Sequence, residues 1–152
     1  MPGVEGPTVQ QRSYSLLRKG MTEAKILWTD GDRFTAEASS GHAMVVDGNG
    51  NTASSPMELV LIGLCTCTAS DVVGILRKKR EPFTFLEVKA VAERADTFPK
   101  VYTEIRLIYR VGGKVTQKAM EDAVHLSKEK YCSVSAMLER TARIDFEIEY
   151  LG

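Results

Sequence analysis

The chain lacks an excess of either charge, and it has little cysteine or histidine. Its 152 residues carry 20 Lys and Arg against 20 Asp and Glu, a formal net charge of zero. Nucleic acid and anionic membrane surfaces draw proteins with a basic excess, so this balance argues against both as partners. It also weakens the repulsion that keeps copies apart, which favours association. Three cysteines are too few, and odd in number, for a secreted disulfide framework. They are expected to be reduced thiols in a cytoplasmic protein. The longest apolar run, Leu59 to Ser70, is about 12 residues against the roughly 20 that a membrane span needs. Glu58 and Asp71 bound it, so it is expected to be a buried helix rather than a membrane anchor. Met1–Gly20 holds no apolar core of signal-peptide length. It is taken as a flexible N-terminal extension or tag, leaving 21–152 as one domain. There is no internal repeat, no glycine-rich phosphate loop, no nucleophile elbow and no paired-carboxylate motif.

What the chain does have is alternation and one apolar helix. Ala24–Trp28 and Arg33–Glu37 read as strands joined by Asp30-Gly31, a hairpin turn signal. His42–Val46 reads as a third strand, closed by the turn cluster Asp47–Asn51. Ser55 with Pro56 and Glu58 forms a helix start with a capping box. The helix continues to Leu76, apolar on nearly every face, and ends in Arg77–Arg80. Such a helix belongs in a core or between subunits. Phe85–Arg94 and Val101–Val111 alternate and are expected to pair as a long hairpin. Val101, Thr103, Ile105, Leu107, Tyr109 and Val111 share one face of the second strand. Val115–Lys130 reads as an amphipathic helix with Val115, Ala119, Ala123 and either Leu126 or Val124 inward. A second helix covers about Ser133–Ala142, and Ile144–Tyr150 forms a last strand. The order β-β-β-α-β-β-α-α-β predicts an α+β domain with a largely antiparallel sheet.

Cys67 and Cys132 are the candidate chemical groups. Cys65 and Cys67 lie roughly 200° apart on a helix, so they form neither a redox pair nor a zinc clasp; Cys65 is expected to be a packing residue. Cys67 lies roughly 17 Å from the start of its helix, beyond help from the dipole. Asp71, one turn on, disfavours a thiolate there. Cys132 directly precedes a short helix whose N–H groups favour an anion, so local physics makes it the more acidic thiol. His125 is expected to form an exposed pair with Glu121. A metal site from Cys67, Cys132 and His42 has no support from their spacing.

Ser55-Pro-Met-Glu-Leu with Cys67-Thr-Ala-Ser-Asp-Val-Val, and Lys130-Tyr-Cys-Ser-Val-Ser-Ala-Met-Leu138, resemble the two cysteine motifs of the OsmC/Ohr superfamily, and of its YhfA-like branch in particular. The resemblance covers about Met21 to Leu151. It implies an OsmC-like domain over 21–152, with antiparallel sheets wrapped around long central helices in an intertwined homodimer. It further implies a peroxidase acting on an organic hydroperoxide in oxidative-stress defence. Cys67 would be the peroxidatic thiol and Cys132 the resolving one, with a dithiol or lipoylated-protein reductant and no metal or organic cofactor. Characterised branches add an arginine from an N-terminal strand or loop and a glutamate directly after the helix proline. Arg33 is the arginine candidate here. Met57 occupies the glutamate position, and Glu58 falls one residue later, roughly 100° around the helix. The alternatives are a non-peroxidatic dimer binding a small apolar or electrophilic ligand at the subunit interface, and a structural dimer with two core cysteines.

Overall fold

The computed structural model describes residues 21–152; the expected extension at 1–20 lies outside the described residues. The chain divides after Pro56 into two compact units.

The first unit is an antiparallel meander of β1 (Ala24–Asp30), β2 (Arg33–Ala38) and β3 (Ala43–Asp47). Its first turn uses Gly31 at φ 50°, a conformation that costs a glycine little. The Arg33 guanidinium grips the Asp30 carboxylate across that turn. The turn cluster after β3 is organised by Asp47. Its carboxylate accepts from the Asn49 N–H at 2.9 Å, the Thr52 N–H at 3.0 Å and the Thr52 hydroxyl at 2.7 Å. These donors hold the Asp47 carboxyl below the usual carboxylate range.

The second unit holds α1 (Pro56–Lys78), β4 (Phe83–Arg94), β5 (Tyr102–Gly113), α2 (Gln117–Leu126), a π-turn (Ser127–Tyr131), α3 (Ser133–Leu138) and β6 (Arg143–Leu151). The order β-β-β-α-β-β-α-α-β is therefore present, in an α+β fold with two three-stranded sheets. β4 and β5 form the expected antiparallel hairpin. β6 differs from the antiparallel expectation and runs parallel to β5. The helical crossover between them returns the chain to the starting end of β5, as parallel neighbours require. The β5 face is also read one residue off at its start. A register shift between Glu93 and Arg94 turns Tyr102 inward, where its hydroxyl donates to the Met57 carbonyl at 2.6 Å. Ile105, Leu107, Tyr109 and Val111 are buried as expected, whereas Val101 and Thr103 are exposed.

α1 is longer than its apolar run. By length and composition it meets the requirement for a membrane span. Its Leu64, Val72 and Leu76 nevertheless sit fully buried in a core with Ile105, Leu107, Tyr109, Met120 and Val124. Only those three and Thr68, a four-residue stripe, are buried along α1. Ile62 is 50% exposed. α2 is capped by the Thr116 hydroxyl and buries Ala119, Met120, Ala123 and Val124, leaving Leu126 outward.

Candidate active site

The site is built where α1 passes the junction between the π-turn and α3. Cys67 and Asp71 are one helical turn apart on α1 and share a face. The predicted helix to Lys130 instead loosens into the π-turn after Leu126. The Cys132 N–H closes that turn on the Ser127 carbonyl at 2.8 Å, which sets Cys132 at the N-cap of α3. The sulfurs of Cys67 and Cys132 and a carboxylate oxygen of Asp71 all lie within 4.8 Å of one another. All three cysteines are free thiols, with Cys67 half-buried and Cys132 buried.

The expectation that Cys132 is the more acidic thiol is overturned. The helix-start geometry is present: its sulfur accepts from the Ser135 N–H at 3.4 Å. Burial outweighs that donor. With 3% of its surface exposed, Cys132 is pushed up from 9.0 to about 12 by loss of water, with the neighbouring Cys67 and Asp71 adding in the same direction. Cys132 therefore holds its proton.

A buried hydroxyl chain runs behind Asp71. The Ser127 hydroxyl donates to Asp71 Oδ2 at 2.8 Å. It is thereby left to accept from Thr68 at 2.9 Å, and Thr68 to accept from the Tyr109 hydroxyl at 2.6 Å. Burial pushes Tyr109 up to about 12, consistent with a donor at the end of the chain. These three hydroxyls were not singled out in the sequence. Tyr109 is legible only as a core residue, and Ser127 is hidden because a regular helix there gives it no partner. Thr68 carries the one available signal, a hydroxyl three residues before an acid in an otherwise apolar helix. On the outer side of Asp71, an open recess of about 200 Å³ is lined by Ser70, Asp71, Gly74, Ile75, Lys78 and Tyr131.

The other candidates are placed elsewhere. Cys65 lines a separate apolar groove with Ala69, Val73, Leu86 and Val88, and burial pushes its thiol up. Glu58 is in the first turn of α1, some nine residues and roughly 13 Å along the axis from Cys67. Arg33 belongs to the first unit, where it pairs with Asp30. His42 also lies in the first unit, against the Ser40 hydroxyl at 3.1 Å; the third donor beside the two sulfurs is Asp71. His125 faces Glu129 at 3.6 Å and packs edge-on against Phe146. The expected partner, Glu121, takes Gln117 instead.

The family model for OsmC-like protein matches residues 48–147, a span that includes both cysteines of the pair. Protein YhfA of Escherichia coli strain K12 is 43% identical over 132 residues, covering 86% of this chain and 98% of that protein. A crystal structure of a hypothetical protein from Aquifex aeolicus VF5 superposes with TM-score 0.76 at 33% identity, over 87% of this chain and 98% of that one. At 16% identity, an organic hydroperoxide resistance protein from Elizabethkingia anophelis shares the fold. Its TM-score is 0.65, over 86% of this chain and 96% of that one.

Proposed function

This chain belongs to the OsmC-like protein family, and from that premise we propose that it is a thiol-dependent peroxidase. It reduces organic hydroperoxides through Cys67 and Cys132 in defence against oxidative stress. The observation that carries this reading is the meeting of two free sulfurs from distant parts of the sequence within 4.8 Å. Their unequal burial supports the division of roles. Half-buried Cys67 is the thiol that a substrate can reach, and buried Cys132 waits beside it.

The Cys67 sulfur attacks the terminal oxygen of the hydroperoxide. The O–O bond breaks, an alcohol leaves with the proton, and Cys67 becomes a sulfenic acid. The Cys132 sulfur then displaces hydroxide from it, forming a disulfide and, with the Cys132 proton, water. The gap between the sulfurs closes to the roughly 2 Å of a disulfide. In this reading Asp71, held by the Ser127 hydroxyl, relays the Cys132 proton to the departing hydroxide. An external dithiol or lipoylated protein returns two electrons and two protons.

The active assembly in this reading is a homodimer. A second copy covers the exposed apolar surface of α1 and brings Arg33 and Glu58 to the sulfur pair. Three free cysteines suit a reducing compartment such as the cytoplasm. A second reading, a dimer binding a small apolar or electrophilic ligand without peroxide chemistry, is favoured by one observation: an acidic side chain, Asp71, stands beside the sulfurs.

The reduced protein is mixed with a slight excess of cumene hydroperoxide and its intact mass followed. Loss of two hydrogens is expected in the wild type, with a trappable sulfenic acid in Cys132→Ser and no oxidation product in Cys67→Ser. Thiols that stay inert for minutes would leave the ligand-binding reading in its place.

A further inference from the structure

Two sulfurs and a carboxylate are also a set of metal donors, and their surroundings are arranged as those of a metal site are. We propose that the reduced protein binds one thiophilic divalent cation of the zinc class through Cys67 Sγ, Cys132 Sγ and a carboxylate oxygen of Asp71. The ion would leave its fourth position open to water or a small ligand.

The geometry is close to what such an ion needs. Bonds of about 2.0 to 2.3 Å in a tetrahedral site put donor atoms roughly 3.5 to 3.8 Å apart. Here the three donors lie within 4.8 Å of each other, so each moves inward by no more than a side-chain adjustment. Cys67 and Asp71 come from one face of one helix, and Cys132 is fixed by the π-turn that its own N–H closes. Two sulfur donors favour zinc over magnesium, calcium or manganese, which take oxygen.

The outer shell is already present. Ligating carboxylates are oriented by hydrogen bonds from behind, and Asp71 receives one from Ser127, itself backed by Thr68 and Tyr109. The Cys132 sulfur receives the Ser135 N–H. Of the three donors, Asp71 also lines an open recess. Cys132 is protonated while the site is empty, so an ion that binds it must displace that thiol proton, as thiolate ligation of a metal does.

This inference shares its sulfur pair with the peroxidase reading but does not need peroxide chemistry. Where both hold, ion and disulfide exclude each other. Two metal-bound thiolates, one hydroperoxide and two protons give a disulfide, an alcohol, water and the freed cation.

The test uses the full chain, stripped of metal and reduced with a phosphine, with no oxidant present. After loading with Zn²⁺ and desalting, about one equivalent per chain is expected to remain in the wild type and in Cys65→Ser. None is expected to remain in Cys67→Ser or Cys132→Ser, and Asp71→Asn should bind at least tenfold more weakly. Cd²⁺ in place of Zn²⁺ should show the ultraviolet sulfur-to-metal band in the wild type and Cys65→Ser only. Should a variant fail to fold, wild-type protection serves: Zn²⁺ is expected to slow alkylation of Cys67 at least tenfold while Cys65 reacts at its former rate. Retention of no metal by the wild type, full retention without either sulfur, unchanged affinity in Asp71→Asn, or unprotected Cys67 would each overturn the proposal. Metal binding with peroxide-inert thiols would refute only the peroxidase reading, and peroxide reduction without metal binding only this one.

Discussion

At Cys132 two local effects oppose each other on one atom, and their magnitudes decide its chemistry. The Ser135 N–H pulls toward a thiolate, while withdrawal from water and the neighbouring Cys67 and Asp71 push toward a thiol; the push wins. The sequence places Cys132 before a helix, which made the first effect legible. It does not show that Cys132 joins the buried core that also holds Tyr109, Met120 and Val124, because burial is set by residues distant in the chain. The imbalance has a consequence for stability. Between pH 9.0 and about 12 the unfolded chain has released the Cys132 proton and the folded chain retains it. Raising the pH through that window therefore favours unfolding. Tyr109, pushed from 10.0 to about 12 by burial, acts in the same direction. Urea unfolding at a series of pH values should show wild-type stability falling from about pH 9 upward, with a shallower fall in Cys132→Ala. Equal slopes in the two proteins would count against the buried, protonated Cys132.

At the scale of elements, alternation and turn residues were enough to locate all six strands and α1. They were not enough to orient β6, since side chains alternate between faces with the same period of two whichever way the neighbouring strand runs. The π-turn was illegible for a related reason. Ser127–Tyr131 is compatible with a regular helix, and the wider turn is fixed by what its ends must meet: Lys128 Nζ on the Ile144 carbonyl at 2.7 Å, Ser127 on Asp71 and Thr68, and Cys132 beside Cys67. The extra residue in that turn is therefore what brings the second sulfur to the first. Deleting Glu129, an exposed residue, should let the segment close as an ordinary α-turn and rotate Cys132 by roughly 100° relative to α2. The deletion variant is expected to keep its helical circular dichroism while diamide-driven formation of the Cys67–Cys132 disulfide slows at least tenfold. Wild-type disulfide formation in a folded deletion variant would show that the π-turn does not position Cys132.

Across the whole molecule, the two cysteine motifs were enough to point to the family, but a single chain leaves much of its apolar surface in water. α1, expected to be buried all round, hides one stripe. In the first unit, the register sets Ile26 and Met44 on either side of Ala36, at 57% and 54% exposure. Leu27 and Val45, on the other face, are 65% and 55% exposed. A three-stranded sheet with apolar residues open on both faces is a poor structure for an isolated chain, and apolar surface of this extent marks an association site. The missing half of the environment of α1 was already implied by its sequence; which surface supplies it was not, because in the proposed homodimer that surface lies on another copy. Zero net charge removes one obstacle to the pairing. Light scattering on the eluting protein is expected to give twice the 16.8 kDa chain mass. Ile26→Glu with Met44→Glu places two carboxylates on the apolar patch and should weaken the dimer at least a hundredfold, giving monomer at micromolar concentration. If the dimer pairs the sulfurs of one copy with Arg33 and Glu58 of the other, the same substitutions should lower the rate of Cys67 oxidation by at least tenfold, with the Cys67–Cys132 pair itself untouched. A dimer that dissociates without any change in that rate would mean each chain carries a complete site alone.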